Sequence, residues 1–245
     1  MKIGINIISL FPWCFFPRIA GRILAGLKDE VKFLQLLPLR GYSGLTVALF
    51  KTPFIYVEGP WNGGSFLGVF QRLFTKDEDY PTFWDFLFFG NRNRAWGRFR
   101  KLHALRGAIA VEHQSSFLKE RGAITRLIEL NPEEARPEDT PREASLVFDL
   151  EHMFRKGRHG EPPILKSLPE FAEFLRERAS QIRVIHYKPD FDERARMSLL
   201  CVWLKAEAKY PVHLVLEYTP SLKSVLFPRR YIKEMVKDLQ RYTAS

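Results

Sequence analysis

Cysteine is almost absent: Cys14 and Cys201 are the only two in 245 residues, and neither has motif spacing around it. That excludes a disulfide framework and a thiolate metal site, and a reducing cytoplasm fits best. The chain also lacks any uninterrupted apolar run of about 20 residues, the length a membrane-spanning helix needs. The apolar stretch after Lys2 imitates a secretory leader, but Pro12 and Pro17 interrupt it and no clean small-residue cleavage site precedes Arg18 and Arg22. No internal repeat or low-complexity tract occurs. Acids fall short of bases, 28 against 38, which leaves a net charge of +10. Such a surplus attracts anions, whether a phosphorylated substrate, nucleic acid or an acidic membrane surface, and it serves ordinary solubility equally well.

Apolar residues make up 46% of the 245, enough for one large core, and an α/β barrel uses about 250 residues as a unit. Short, continuously apolar runs recur at 2–9, 31–36, 54–57, 107–112, 146–149, 183–186 and 213–217. Amphipathic or helix-compatible stretches separate them at 18–27, 42–50, 66–74, 82–105, up to Leu130, 168–180, 192–209 and 231–242. Strands of this kind alternating with helices predict a parallel sheet covered on both faces. We therefore expect a single (β/α)8-type TIM barrel over residues 1–245, with seven strong strands and a vestigial one near 189–193.

The interval 65–107 is longer than one crossover needs and is crowded with aromatics, among them Phe70, Tyr80, Trp84, Phe88, Phe89, Trp96 and Phe99. It is predicted to be a helical insertion between the third and fourth strands. Its rings are expected to pack against the barrel wall; a lid or a homodimer surface is the functional alternative. The basic run 91–94, with Arg98, Arg100 and Lys101, reads first as a solvated helix face and second as a phosphate contact. The polar stretch 131–143 reads as a surface loop, and the basic loop 155–160 as an anion contact or a solubilising loop.

Several of these runs end in a metal-type side chain: Glu112, Asp149, His186 and Glu217. Parallel barrel strands deliver their C-terminal ends to one rim, so these four residues are expected to meet there. Three carboxylates and one imidazole suit a hard or borderline divalent ion, with Mn2+, Mg2+ or Co2+ favoured and Zn2+ compatible. His152, three residues past Asp149, would orient substrate or add a ligand. Lys188, two past His186, would steady a developing enediolate oxygen or a phosphate. His103, His113, His159 and His213 are read as structural.

The order Glu112, Asp149-x-x-His152, His186-x-Lys188, Glu217, each on an apolar strand, resembles the xylose-isomerase-like barrel superfamily, which holds sugar isomerases and epimerases and the AP endonucleases. The resemblance covers the chain from Lys2 to the last helix. It implies a cytoplasmic metal-dependent isomerase or epimerase of a sugar, sugar phosphate or polyol, with Glu112 and Glu217 carrying the proton transfers through an enediolate. The epimerases of this group carry an arginine a few residues past the histidine matching His186, whereas Phe191, Asp192 and Glu193 stand here. An AP-endonuclease-like phosphodiesterase acting on DNA is the runner-up, because that branch needs further histidines and none occurs at Gln35, at Glu58 or over 189–193. A barrel without catalysis, serving as a binding protein, is the third reading.

Overall fold

A computed structural model describes residues 1–58, 87–106, 109–112, 127–130, 132, 136–142, 144–157, 160–189, 194–208, 211–218 and 220–244. Its strands are β1 (Lys2–Asn6), β2 (Phe33–Leu36), β3 (Phe54–Glu58), β4 (Ile109–Glu112), β5 (Leu127–Glu129), β6 (Ser145–Asp149), β7 (Ile182–Tyr187) and β8 (His213–Leu216). Each pairs in parallel with the next, and β8 pairs back onto β1, so the sheet closes into a barrel. The sequence pattern anticipates seven of these. The eighth is not near 189–193, a stretch that falls largely outside the described residues: β7 pairs directly with β8. It is β5, in a place predicted to end a helix, and it is held between β4 and β6.

Two sets of side chains follow from the period of two along each strand. Outward residues such as Leu34, Val57, Phe148, Ile185 and Leu214 join the large cluster under the helices. Among these helices are α1 (Pro17–Ala25), α2 (Gly44–Val47), α3 (Arg92–Arg106), α4 (Leu150–Phe154), α5 (Leu168–Arg178), α6 (Arg194–Glu207), α7 (Leu222–Leu226) and α8 (Pro228–Ala244). Helix α5 shows why the sequence builds them. Ser167 Oγ accepts the Glu170 N–H, Pro169 lies in the first turn, and Arg176 and Arg178 complement the C-terminal end. Its buried Phe171 and Phe174 meet Phe148 at ring centroid distances of 5.8 and 5.5 Å, which fixes the outer face of β6. Within the aromatic-rich region, the described rings behave as core: Phe88, Phe89, Trp96 and Phe99 are buried, and Trp96 stacks on Phe99 at 4.8 Å. Residues 65–86 of the expected insertion lie outside the described residues. Arg94, Arg100 and Lys101 are exposed, as a solvated face requires, while Arg98 Nε donates to the Pro38 carbonyl at 2.9 Å. No described helix is long and apolar enough to cross a membrane.

The inward set forms a second, separate cluster: Phe33, Tyr56, Val111, Leu127, Val147, Val184 and Val215, one from each of β2 to β8. At the same level β1 carries Gly4, whose Cα partners are Phe33 on one side and Val215 on the other. A Cβ at Gly4 would collide with the Phe33 ring, so the missing side chain on β1 makes room for the large one on β2. Gly4→Ala is therefore expected to destabilise the fold by about 1–3 kcal/mol through overpacking, read as a lower urea midpoint at unchanged m. Below this layer Tyr56 and His213 close the floor through a 2.6 Å hydrogen bond between the phenol oxygen and Nδ1. Burial pushes the Tyr56 phenol up to about 12 against the opposing charge of Arg183, and burial followed by Lys2 holds His213 below the usual histidine value. Both shifts favour the neutral forms, so the contact joins a phenol and an uncharged imidazole, and the tautomer of His213 sets which of them donates.

Candidate active site

Two residues beyond the apolar layer, the inward positions turn polar. They are Asn6 on β1, Gln35 on β2, Glu58 on β3, Glu129 on β5, Asp149 on β6, His186 on β7 and Glu217 just past β8, whose N–H extends the ladder by donating to Tyr187 O at 2.9 Å. All but Glu217 are 0–2% exposed, and its side chain is 16% exposed. The barrel therefore stacks a ring of polar groups on an apolar plug.

Asp149 is at once a strand end and a helix cap. Its Oδ1 accepts the N–H groups of Glu151 (2.9 Å) and His152 (3.3 Å), which starts the short helix α4. Its Oδ2 turns to the site, where Lys188 Nζ donates to it at 2.7 Å. The same ammonium reaches Glu151 Oε2 at 2.9 Å, and Glu151 is paired in turn with Arg155. The turn from Asp149 folds the His152 ring back, so that its Nδ1 lies 3.1 Å from Glu129 Oε1 and 3.9 Å from Asp149 Oδ2. This gives the Asp-x-x-His spacing its physical sense: a cap, then a side chain returned beside the capping carboxylate.

The charges follow from this packing. Burial alone would raise Asp149, but His152, Lys188 and His186 outweigh it and hold the carboxyl below its usual range. Burial alone would lower His152 and Lys188; Asp149 and Glu129 lift the first above the ordinary histidine value, and Glu217, Asp149 and Glu151 lift the second well above that of lysine. For Glu217 burial wins: its carboxyl is pushed up, with Glu58 and Asp149 adding to the effect and Lys188 and His186 opposing it.

His186 stands at the centre. Its Nδ1 faces Glu217 Oε2 at 3.2 Å, Glu129 Oε2 at 3.8 Å and Asp149 Oδ2 at 4.0 Å, yet makes no hydrogen bond. Donors sharing a metal with bonds of about 2.0–2.2 Å lie about 3–3.5 Å apart, so this shell is slightly wider than an ion would draw it. Asp149, His186 and Glu217 hold ligand atoms within 4.8 Å of one another, as do Glu129, Asp149 and His152. In the second group the raised His152 already answers Glu129, so the first, widened by Glu129, is the better metal cage. Glu58, Glu129, Asp149 and Glu217 thus gather oxygen donors in the same polar ring as the His186 imidazole, a donor set that suits a divalent ion. The residues present fit an oxygen-rich site for a divalent metal ion.

Of the residues expected from sequence, Asp149, His152, His186, Lys188 and Glu217 come together. Glu112 ends β4 with its backbone opposite Ile128, and its side chain lies outside the described residues. Sequence reasoning missed Glu129, although Leu127-Ile128-Glu129 is itself an apolar run ending in an acid. It also missed the supporting groups Asn6, Gln35 and Glu58. Of the basic loop 155–160, residues 158 and 159 lie outside the described residues.

No protein-family profile matches the chain, and no curated protein sequence does. Among solved structures the chain is similar to a D-psicose 3-epimerase crystallised in the presence of D-fructose, at 10% sequence identity and a TM-score of 0.44, over 100% of this chain and 97% of that one.

Proposed function

We propose that the barrel is a divalent-metal-dependent isomerase or epimerase of a sugar, sugar phosphate or related polyhydroxy carbonyl compound. The observation that carries this reading is the convergence of three carboxyl groups, Glu129, Asp149 and Glu217, on the buried Nδ1 of His186, the four residues coming from successive strands. These four are the ligand set, with Glu129 of β5 taking the part first given to Glu112. When bound, the ion polarises a carbonyl and the hydroxyl beside it, which acidifies the carbon between them.

The chain's own groups do the rest. Glu217 has the carboxyl whose proton affinity burial raises and is the most exposed of the ring, so it takes the proton from that carbon. Glu129, protonated at the start of the turnover, delivers a proton to the opposite face of that carbon; Glu217 then gives its proton up to water and Glu129 takes one back, so substrate and enzyme regain their starting protonation without a co-substrate. His152, whose proton affinity Asp149 and Glu129 raise against burial, presents its exposed edge to a substrate oxygen. Lys188 holds Asp149 and Glu151 in place.

Cleavage of DNA is the weaker reading, because Gln35 and Glu58 stand where that branch places imidazoles and are bonded to each other. The test is metal content and product formation. Protein stripped with a chelator and reloaded with Mn2+ or Co2+ should hold one ion per chain and should interconvert at least one member of a panel of free and phosphorylated ketoses and aldoses, followed by chromatography. An absence of bound metal together with an unchanged panel would overturn the proposal and favour a non-catalytic binding barrel; nicking of an abasic-site duplex would favour the nuclease.

A further inference from the structure

Three side chains link the backbone amide of Ile8 to the imidazole at the centre of the site, and each hydrogen bond fixes the direction of the next. The Ile8 N–H, which can only donate, reaches Asn6 Oδ1 at 3.2 Å. That turns the Asn6 amide so that Nδ2 donates to Glu58 Oε2 at 3.0 Å. The same carboxyl oxygen lies 2.7 Å from Gln35 Nε2, an amide N–H2 donating to an acceptor. Gln35 must then present its carbonyl Oε1 at its other end, and His186 Nε2 lies 3.2 Å from it. An imidazole nitrogen facing a carbonyl oxygen carries the hydrogen, so Nε2 is the N–H and Nδ1 holds the lone pair. Nδ1 is the atom that faces Glu129, Asp149 and Glu217 without a hydrogen bond.

We infer that Asn6, Glu58 and Gln35 are positioning residues: a directional relay that locks His186 in the Nε2–H tautomer and aims its Nδ1 lone pair into the carboxylate ring as a preset ligand. The ligand role rests on the metal-dependent reading above; the tautomer does not. All four members are 0–1% exposed, so bulk solvent does not compete for the hydrogen bonds of the chain. Partners behind a metal-bound histidine fix its ring and tautomer and strengthen it as a ligand. The identity of Glu58 matters because an ionised carboxylate only accepts, whereas a glutamine there could donate to Gln35 and let the amide reverse.

The experiment reads the tautomer first. Metal-free protein labelled with 15N at histidine is examined by long-range 1H–15N correlation at a pH where the ring is neutral, with His186→Asn identifying its signals. The wild-type ring should be protonated at Nε2. Glu58→Gln should admit the Nδ1–H form and weaken Mn2+ binding about 10–100-fold by calorimetry. The exchanged pair Gln35→Glu with Glu58→Gln should recover both, because Gln at 58 accepts from Asn6 and donates to Glu at 35, which again accepts from Nε2. Thermal unfolding checks that the variants fold, and the wild-type measurement depends on no variant. A wild-type ring protonated at Nδ1 overturns the relay, and so does a folded Glu58→Gln protein with the wild-type tautomer. Should the wild type bind neither Mn2+ nor Co2+ while its ring is Nε2–H and the exchanged pair restores it, the relay stands and the metal-dependent reading falls.

Discussion

Replacing Glu217 with Gln is expected to lower turnover about 10²–10⁴-fold at saturating metal, the range a positioned general base supplies. The change keeps the side chain's length and volume and removes the anion. Since Glu217 is also a ligand, metal affinity should fall as well, and the two effects separate when turnover is measured at full Mn2+ occupancy confirmed by elemental analysis. The half-exposed position suits this variant: Glu217 lies at the mouth, 16% exposed, and its backbone N–H remains bonded to Tyr187 O. Unfolding by urea should shift little. Turnover within a few-fold of wild type at full occupancy would remove Glu217 from the proton-transfer step and leave it as a ligand alone.

Lys188→Met is expected to cost up to about 3–5 kcal/mol of stability in the presence of EDTA, because it removes the cation shared by two largely buried carboxylates and leaves Asp149 only the more distant His152 and Glu151 only Arg155. Lys188 is 15% exposed and its partners Asp149 and Glu151 are 1% and 9% exposed, so solvent cannot replace the ammonium. The direction follows from Asp149, whose carboxyl is held below its usual range partly by this charge and would rise without it. A divalent ion supplies positive charge to the same carboxylate and binds the folded state. Mn2+ at about 100 times its dissociation constant should therefore return about 2.7 kcal/mol. Urea unfolding of wild type, Lys188→Met and Lys188→Arg, each with EDTA and with Mn2+, gives the comparison, with Arg retaining most of the stability. A loss under about 1 kcal/mol in EDTA would show that Lys188 is not the counter-charge.

Most of the barrel is legible in the sequence, since a strand buried on both faces leaves a continuous apolar run, and seven strands announce themselves so. Strand β5 does not. It is three residues long, and Leu127 to Leu130 reads equally well as the last turn of an amphipathic helix; only closure of the ring, through its pairing with β4 and β6, distinguishes the two. The site is legible through parity more than through run endings. Val147-x-Asp149, Val184-x-His186, Val215-x-Glu217 and Leu127-x-Glu129 each place a polar group one inward step above an interior apolar one. On β4 the interior residue is Val111 and Glu112 follows it at once. Asn6 and Gln35 were hidden for a different reason. Buried amides carry no charge and no motif, and their importance appears only when the directions of their hydrogen bonds are traced.

The apolar layer of Phe33, Tyr56, Val111, Leu127, Val147, Val184 and Val215, with the Phe33 ring filling the space left by Gly4, makes the polar ring the bottom of a blind well. Its side chains are apolar apart from Tyr56, whose phenol oxygen is bonded to His213 beneath. Among the described residues of the ring, Glu217 past the end of β8 is the most exposed, so the ring opens on that side. On the two-carboxyl reading, the hydrogen that Glu217 lifts from carbon leaves through that opening and the one put back comes from Glu129, so an epimerised sugar would carry a hydrogen drawn from solvent.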